Sequence, residues 1–468
     1  MIAKIVTNRI ADIARRYRNN SVIGYCYRMS PFFIQNLIYT CFGFFKYREF
    51  KKLEKLLVDY ESEESRSIDQ IETLQLAKVK ELLIHASTNS VYYRALFLRH
   101  NFEPEKMKTI DELSQIPILD KNTFIDNYDL IKTKNYQDFS PIEMSSGGTT
   151  GTTLKFLMDE KTYIRKELQV IHYWKRHGYE LGKDKTIMFR AGVLIPKGAK
   201  IVKPWRFDFS RKMIYLSSYY SSDALYGEYY RLLKRWKPKY MHFLPSAAYL
   251  FAKYLNNNKL KIDLKLAFSA SEMLLETQKT EIKKAFNCNI VDHYGHIEPG
   301  NYVAGQCRNG KYHVCTTDVI TEVLQDGSLV ETSLTNYSMP FIRYKVGDLV
   351  DELHAGCECG ISTPYFGKIF GRESSLVYTS DGRTISTIGF DQIFRGNNIR
   401  LGQIIQKQKG ELILKLVVED AFTSRDELKI ITSLQDRVGE STRIAIEYVD
   451  EIPKANSGKY NLVISELN

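Results

Sequence analysis

The stretch Met144-Ser145-Ser146-Gly147-Gly148-Thr149-Thr150-Gly151-Thr152-Thr153 lies between charged, periodic segments, and the rest of the chain reads outward from it. Glycines let a backbone turn its N–H groups inward and let a large anion approach closely. Serine and threonine hydroxyls add donors at the same place. That is the chemistry of a loop that holds phosphate. It is not a Walker A loop, because no Gly-Lys-Ser/Thr follows the glycines. Taken alone, the cluster reads equally well as a solvated linker. The pattern downstream tips it toward nucleotide binding.

Downstream, the hydrophobic pattern alternates between strand and helix. Residues 154–158 read as a strand, 161–177 as an amphipathic helix rich in Tyr and His, and 186–190 as a buried strand. A helix over 222–236, a strand over 240–244 stopped by Pro245, and a helix to Leu255 follow. A strand over 264–268, a helix over 275–286 and a strand over 289–294 complete the series. Such alternation implies parallel sheets covered by helices, and ligands in those sheets bind at the carboxyl ends of strands. Ser269-Ala270-Ser271-Glu272 and Tyr294-Gly295-His296-Ile297-Glu298 fall at such ends. Upstream, Ile71, Leu74, Leu76, Val79, Leu82 and Leu83 recur at helical spacing. Residues 312–350 are β-rich, with a hairpin signal at Asp326-Gly327. Beyond Gly371 the chain restarts with strands over 411–418 and 443–448 and a helix over 424–438. The expected fold class is α/β in three parts. These are an N-terminal extension (1–68), a large domain of helix-covered, mostly parallel sheets with a β-rich subdomain (69–370), and a small α+β C-terminal domain (371–468).

With 468 residues, 44% of them apolar, the chain can bury the core of one large and one small domain. Its charge of +11 is uneven: residues 1–60 carry eleven Lys and Arg against four Asp and Glu, a net of +7. A basic, aromatic segment of this kind suits anionic lipid head groups. Packing on the main domain is the competing expectation. Nucleic acid is not an expected partner, because no nucleic-acid module accompanies the charge. The apolar run from Phe32 to Phe45 contains Gln35 and Asn36 and falls short of the roughly 20 residues that span a bilayer, so an interfacial or core helix is expected. There is no apolar run with a small-residue cleavage site at the N-terminus. The seven cysteines are widely spread and do not read as a disulfide framework. The expected location is cytoplasmic, peripheral at the inner face of the membrane.

Five motifs occur in order. They are the Ser145–Thr152 loop, Tyr294-Gly-x-x-Glu298, Met339-Pro-x-Ile-Arg-Tyr-x-x-Gly-Asp348, Gly371-Arg372 and Ser457-Gly458-Lys459. Together they resemble the adenylate-forming (acyl-AMP) ligase superfamily, on the side of phenylacetate–CoA ligase and its CapK-like polysaccharide-biosynthesis relatives. The resemblance covers roughly residues 70 to 465. It implies that Ser145, Ser146, Gly147, Gly148, Thr149, Thr150, Gly151 and Thr152 hold the phosphates of ATP. It further implies that Tyr294 lies against adenine, and that Gly295, Ser271 and Glu272 belong to the ATP-binding set. Asp348 then takes the ribose hydroxyls, and Arg372 reaches the ribose or phosphate. Glu298 holds Mg²⁺, whose charge neutralises the phosphates. Lys459 bridges the substrate carboxylate and the α-phosphate. In this superfamily the small C-terminal domain rotates between the two half-reactions as a mobile lid. One departure stands out. Acidic residues usually follow the Gly-Arg at the hinge, whereas in Gly371-Arg372-Glu373-Ser374-Ser375 the hinge position is Ser374, so that either Glu373 substitutes after a small shift or the domain rotation is altered. That departure touches the second half-reaction more than the first.

A separate constellation is Cys307-x5-His313 with Cys357-x-Cys359. Thiolates and an imidazole in two short pairs suit a tetrahedral structural Zn²⁺. The alternative is four unrelated side chains, and Cys315 lies close enough to confuse the ligand set. His242, His293 and His296 are assigned no catalytic role, because a carboxylate nucleophile needs no general base. His242 and Phe243, at a strand end, are candidates to line an acyl pocket. The helix carrying Tyr163, His172, Tyr173 and Trp174 is expected to serve the core.

The resemblance implies an ATP-dependent, AMP-forming carboxylate ligase acting on a small carboxylic acid or uronate, with ATP and Mg²⁺ as cofactors. The acyl group then passes to an amine, a hydroxyl or the thiol of CoA, in surface polysaccharide synthesis. An aryl- or acyl-CoA ligase is the alternative of the same class. A non-catalytic nucleotide-binding assembly protein is the alternative of another class.

Overall fold

The computed structural model describes residues 27, 30–52, 54–63, 65–145, 154–190, 203–218, 222–298, 302–372, 376–380, 384–386, 390–394, 397–453 and 461–467. Among the described residues, helices Phe32–Lys52 (α1), Glu54–Glu63 (α2), Ile68–Asn89 (α3) and Val91–Arg99 (α4) run in order toward the N-terminal end. Ser67 starts α3 with a capping box, accepting the N–H of Gln70 while the Gln70 side chain accepts its own. The periodic positions Ile71, Val79, Leu82 and Leu83 of α3 are buried, while Leu74 is exposed. Short helices Lys121–Asp126 (α5) and Tyr128–Ile131 (α6) precede a hairpin of Ile142–Ser145 (β1) and Lys155–Met158 (β2), followed by helix Glu160–Arg176 (α7).

The strand–helix series then runs Thr186–Arg190 (β3), Trp205–Asp208 (β4), Met213–Ser217 (β5), Asp223–Trp236 (α8), Tyr240–Phe243 (β6), Pro245–Asn257 (α9), Leu266–Ala270 (β7), Glu276–Phe286 (α10) and Asn289–Tyr294 (β8). Two of these strands, β4 and β5, are not among the elements expected from the periodicity, and a third is shifted. β7 begins two residues later than expected, because the N–H groups of Ile262 and Leu264 bond to the carbonyls of Ala285 and Phe286 at the end of α10. The β-rich part comprises Ala304–Gln306 (β9), Tyr312–Val314 (β10), Val319–Val323 (β11), Ser328–Ser333 (β12), Tyr344–Val350 (β13), Tyr365–Phe366 (β14) and Ile369–Arg372 (β15). The C-terminal part comprises Leu376–Tyr378 (β16), Thr384–Ser386 (β17), Ile399–Gln408 (β18), Glu411–Val418 (β19), Ser424–Val438 (α11), Arg443–Tyr448 (β20) and Val463–Ser465 (β21).

Two compact units result. One is built from Val170–Asp292 with the described residues up to Val58. Its strands lie in the order β4-β5-β3-β6-β7-β8, with β5, β3, β6 and β7 parallel and β4 antiparallel at the edge. Aromatic rings fill this unit: Trp174 stacks on Phe268 at 5.2 Å and meets His242 at 4.9 Å. Tyr173, His172, His242 and Phe243 are all buried, the first two as expected of a core-serving helix. Helix α1 packs on β4. Asn36 Oδ1 accepts the N–H of Phe207 at 3.0 Å, Gln35 accepts from Arg206, and Phe32 meets Trp205 edge-on. A Cβ at Gly43 would collide with the buried carboxylate of Asp208, so this close approach requires glycine. The two polar residues that interrupt the apolar run thus serve the docking face. Among the described residues, no helix is long and apolar enough to cross a membrane.

The other unit takes Asp59–Gln169 and the described residues from His293 onward. Its main core joins Val79, Leu82 and Leu83 of α3 to Phe156 of β2 and to Phe341 and Tyr344. A second core lies within the C-terminal part. There Ile430, Leu434 and Val438 of α11 cover a sheet of order β20-β19-β18-β21. Phe341 is central to the main core: it stacks on Phe124 at 4.7 Å and meets Phe156 edge-on at 5.4 Å, and it is wholly buried. Phe341→Ala should therefore cost about 3–5 kcal/mol of stability in a denaturant melt. A loss below about 1 kcal/mol would show that these rings do not act as a packed unit.

Candidate functional site

The glycine-rich stretch is the connection of the β1–β2 hairpin. Ser145, exposed, pairs with Lys155 across its base, while Ser146 to Thr153 lie outside the described residues. The base of the hairpin is tied to the connection between β12 and β13, ahead of the strand that carries Asp348. Asp159 accepts the N–H of Tyr337 at 2.7 Å and of Ser338 at 3.0 Å. Asn336 Oδ1 accepts the Asp159 N–H at 2.7 Å, and its Nδ2 donates to the carbonyls of Leu157 and Met339. Buried polar groups of this kind are kept because each has a partner. Asp159 and Asn336 escaped the sequence analysis. Their only signal is polarity beside apolar strand residues.

Tyr294 ends β8, and Asp348 lies in β13. The Tyr294 hydroxyl donates to Asp348 Oδ2 at 2.5 Å, and Asp348 is buried. Gly347 precedes it with φ +79°, a left-handed position that favours glycine. Arg343 opens this segment with φ +50° and a buried side chain. Its Nε lies 3.1 Å from both Oε atoms of Glu322, and its Nη1 donates to the carbonyls of Ser114 and Ile116. Arg372 in β15 pairs through its backbone with Asp348. Glu373 to Ser375 and Lys459 lie outside the described residues.

Gly295, His296 and Glu298 continue from Tyr294. His296 forms a buried ion pair with Glu331, Nε2 to Oε2 at 2.8 Å, and its Nδ1 lies 2.9 Å from the Glu298 carbonyl. Burial alone disfavours the imidazolium. Burial is the largest single cause, but the Glu331 carboxylate together with Glu298 and Asp348 outweighs it, and the pKa is pushed up to about 9. As an imidazolium the ring can donate from both nitrogens, which holds the turn of Tyr-Gly-x-x-Glu in place. Glu298 itself is half-buried.

Ser271 and Glu272 belong to the other compact unit and immediately follow β7. Ser271 has φ +71°, and its hydroxyl accepts from Arg190 Nη2 at 3.2 Å. The Glu272 carboxylate accepts the Ser246 N–H at 2.8 Å and the Ser246 hydroxyl at 3.0 Å. It thereby caps α9 at the end where the helix dipole favours negative charge.

The structure brings Cys307, His313, Cys357 and Cys359 together, with their ligand atoms all within 4.8 Å of one another. Cys307 and His313 are buried, and the other two are half-buried. Cys315 stands apart from this set, accepting from Gln169 Nε2 at 3.0 Å.

Residues 377–466 match the family described as the CapK C-terminal domain. The chain is similar to protein CapK of Staphylococcus aureus, 23% identical over 458 residues that span 95% of this chain and 100% of that one. It is also similar to a phenylacetate-coenzyme A ligase of Aromatoleum evansii, 26% identical over 356 residues, 68% of this chain and 74% of that one. Among solved structures, it shares the fold of 2-hydroxyisobutyryl-CoA ligase in the postadenylation state in complex with R3-HIB-AMP. The TM-score is 0.68 at 17% identity, over 86% of this chain and 91% of that chain. The resemblance carried by the five motifs, to the adenylate-forming ligases and to their CapK-like and phenylacetate–CoA ligase branch, therefore holds.

The short Tyr294–Asp348 hydrogen bond has a direct test. Tyr294→Phe removes one donor from a buried carboxylate, at an expected cost of about 1–3 kcal/mol in chemical denaturation. A variant as stable as the parent would show that water or another donor replaces the hydroxyl without loss.

Proposed function

With the likeness to the CapK and phenylacetate–CoA ligase branch as premise, we propose that the chain is an ATP-dependent, AMP-forming carboxylate ligase. The observation that carries this reading is the pairing of Tyr294 with Asp348. Two motifs 54 residues apart meet in one hydrogen bond, as an adenine-facing aromatic and a ribose-binding carboxylate must. In the first half-reaction a carboxylate oxygen of the acid attacks the α-phosphorus of ATP and pyrophosphate leaves. In the second, a nucleophile attacks the acyl carbon of the acyl-adenylate and AMP leaves.

The chain's own residues take these parts. Tyr294 and Gly295 flank the base, Asp348 accepts from the ribose hydroxyls, and the Ser145–Thr152 loop cradles phosphate. Arg372 contributes to the nucleotide site. Lys459, on the C-terminal lid (371–468), offsets the charge that develops at the α-phosphate. Glu298 fits Mg²⁺: His296 takes its main-chain carbonyl and not its carboxylate, and Mg²⁺ commonly needs only one or two carboxylates beside substrate phosphates. The ion would supply charge neutralisation of the phosphates.

The acid is a small carboxylic acid or uronate, and the setting is surface polysaccharide synthesis, by likeness to the CapK-like relatives. The acceptor is an amine, a hydroxyl or CoA. The relative named phenylacetate-coenzyme A ligase favours CoA and supports an aryl- or acyl-CoA ligase as the second reading. Helix α1 supports a peripheral membrane location. Its docked face leaves Phe33, Leu37 and Phe44 exposed, and on a helix these three fall within about 40° of arc. Basic residues of the first sixty would add attraction to anionic lipid.

An ATP-dependent hydroxamate trap across aryl, fatty, amino and uronic acids tests the ligase reading, with AMP and pyrophosphate followed in parallel. The expected result is hydroxamate with one acid class, lowered roughly 10²–10³-fold in Lys459→Ala, which should still bind ATP. Bound ATP with no hydroxamate from any acid would overturn it in favour of a nucleotide-binding assembly protein. For the membrane, the full chain should co-sediment with phosphatidylglycerol vesicles, and the triple change Phe33→Ser, Leu37→Ser, Phe44→Ser should weaken that binding about tenfold or more. Equal sedimentation of the two would remove α1 from the membrane contact.

A further inference from the structure

The ligase reading leaves one cluster unused: Cys307, His313, Cys357 and Cys359. We propose that these four side chains form a closed, tetrahedral, structural Zn²⁺ site that clamps the β9–β10 hairpin to the loop between β13 and β14. The distances suit the ion. Zn–S bonds of about 2.3 Å place tetrahedral sulfurs roughly 3.8 Å apart. Cys307 Sγ and Cys357 Sγ are 3.9 Å apart, and Cys359 Sγ lies 3.2 Å from His313 Nε2. A disulfide would bring two of the sulfurs to about 2.05 Å and leave the imidazole facing it without purpose.

The surroundings are those of a metal site. His313 Nδ1 lies 2.9 Å from the Thr363 carbonyl, a contact that places the proton on Nδ1 and leaves Nε2 as a lone-pair donor toward the sulfurs. The N–H of Ile361 points at Cys359 Sγ from 3.4 Å, as amides do to metal thiolates. The two cysteine loops repeat one device. Cys307-Arg-Asn-Gly310 and Cys357-Glu-Cys-Gly360 each close a turn from the glycine N–H to the cysteine carbonyl, at 3.0 and 3.3 Å. Both glycines sit at positive φ. Arg308 Nη2 bridges the loops to the Glu358 carbonyl at 3.3 Å. Three sulfurs and one nitrogen leave no open position, so the ion is structural and takes no part in catalysis. Its effect is transmitted through the sheet: β9 pairs with residues 293–294, and β10 pairs with β14. The ion thus braces the layer that borders Tyr294.

The test is elemental analysis of the full chain purified without a metal-chelating step, with zinc X-ray absorption on the same sample. About one zinc per chain is expected, with a first shell of three sulfurs near 2.3 Å and one nitrogen near 2.0 Å. Cys359→Ser and His313→Ala should each lose most of the metal, while Cys315→Ser and Cys288→Ser should keep it. Where the ligand variants do not fold, an organomercurial titration of the native chain should release zinc in step with three thiols. The proposal is overturned if the chain holds under about a tenth of an equivalent and takes up none on exposure to zinc, or if its zinc lacks sulfur neighbours. A chain that neither holds nor takes up zinc and yet adenylates would overturn the clamp and leave the ligase reading standing.

Discussion

The buried guanidinium of Arg343 is the constraint on which the β-rich unit depends. It is held in a left-handed backbone conformation that non-glycine residues rarely adopt. The strain is offset by a forked contact to Glu322 of β11 and by donation to the carbonyls of Ser114 and Ile116 ahead of α5. Lysine has no comparable fork. The same residue joins the helical and β segments through its main chain, because its carbonyl accepts the N–H of Leu119 and the Leu119 carbonyl accepts that of Lys345. One side chain therefore sets the point from which β13 departs, and with it the position of Asp348.

From that point two polar links reach outward. Asp159 and Asn336 fasten the base of the glycine-rich hairpin to the segment just before Arg343. Tyr294 meets Asp348 further along β13. Behind Tyr294, the His296–Glu331 pair buries one positive and one negative charge together. Such a pair is costly to desolvate, and its clearest use is to specify a geometry. In this turn that geometry is the approach of Glu298. Stability and the candidate site are thus built from the same bonds, so the nucleotide of the proposed function would meet dipoles already in place.

Much of the fold was legible because its signals are local. The strands over 186–190 and 289–294 and the helix over 424–438 follow from the spacing of apolar residues. β7 was displaced by two residues because main-chain bonds to α10, invisible to periodicity, captured the residues before it. Tyr294 and Asp348 in the candidate site, and the separate cysteine–histidine set, announced themselves by residue type and spacing. Arg343, Asp159, Asn336 and Glu331 did not. Arginine, aspartate, asparagine and glutamate are ordinary surface residues until burial gives them a different part.

By itself the sequence determined most of the strand–helix series and its order, though not β1, β4 or β5, and which side chains are chemically fit for nucleotide, carboxylate and metal. Those properties depend on neighbours a few residues away. The tertiary structure alone decided that Tyr294 meets Asp348, that Cys315 is left out of the cluster Cys307 enters, and that Gln35 and Asn36 face β4. Each of those outcomes depends on sheet register and helix docking between distant segments, and register shifted by one residue turns every side chain to the opposite face.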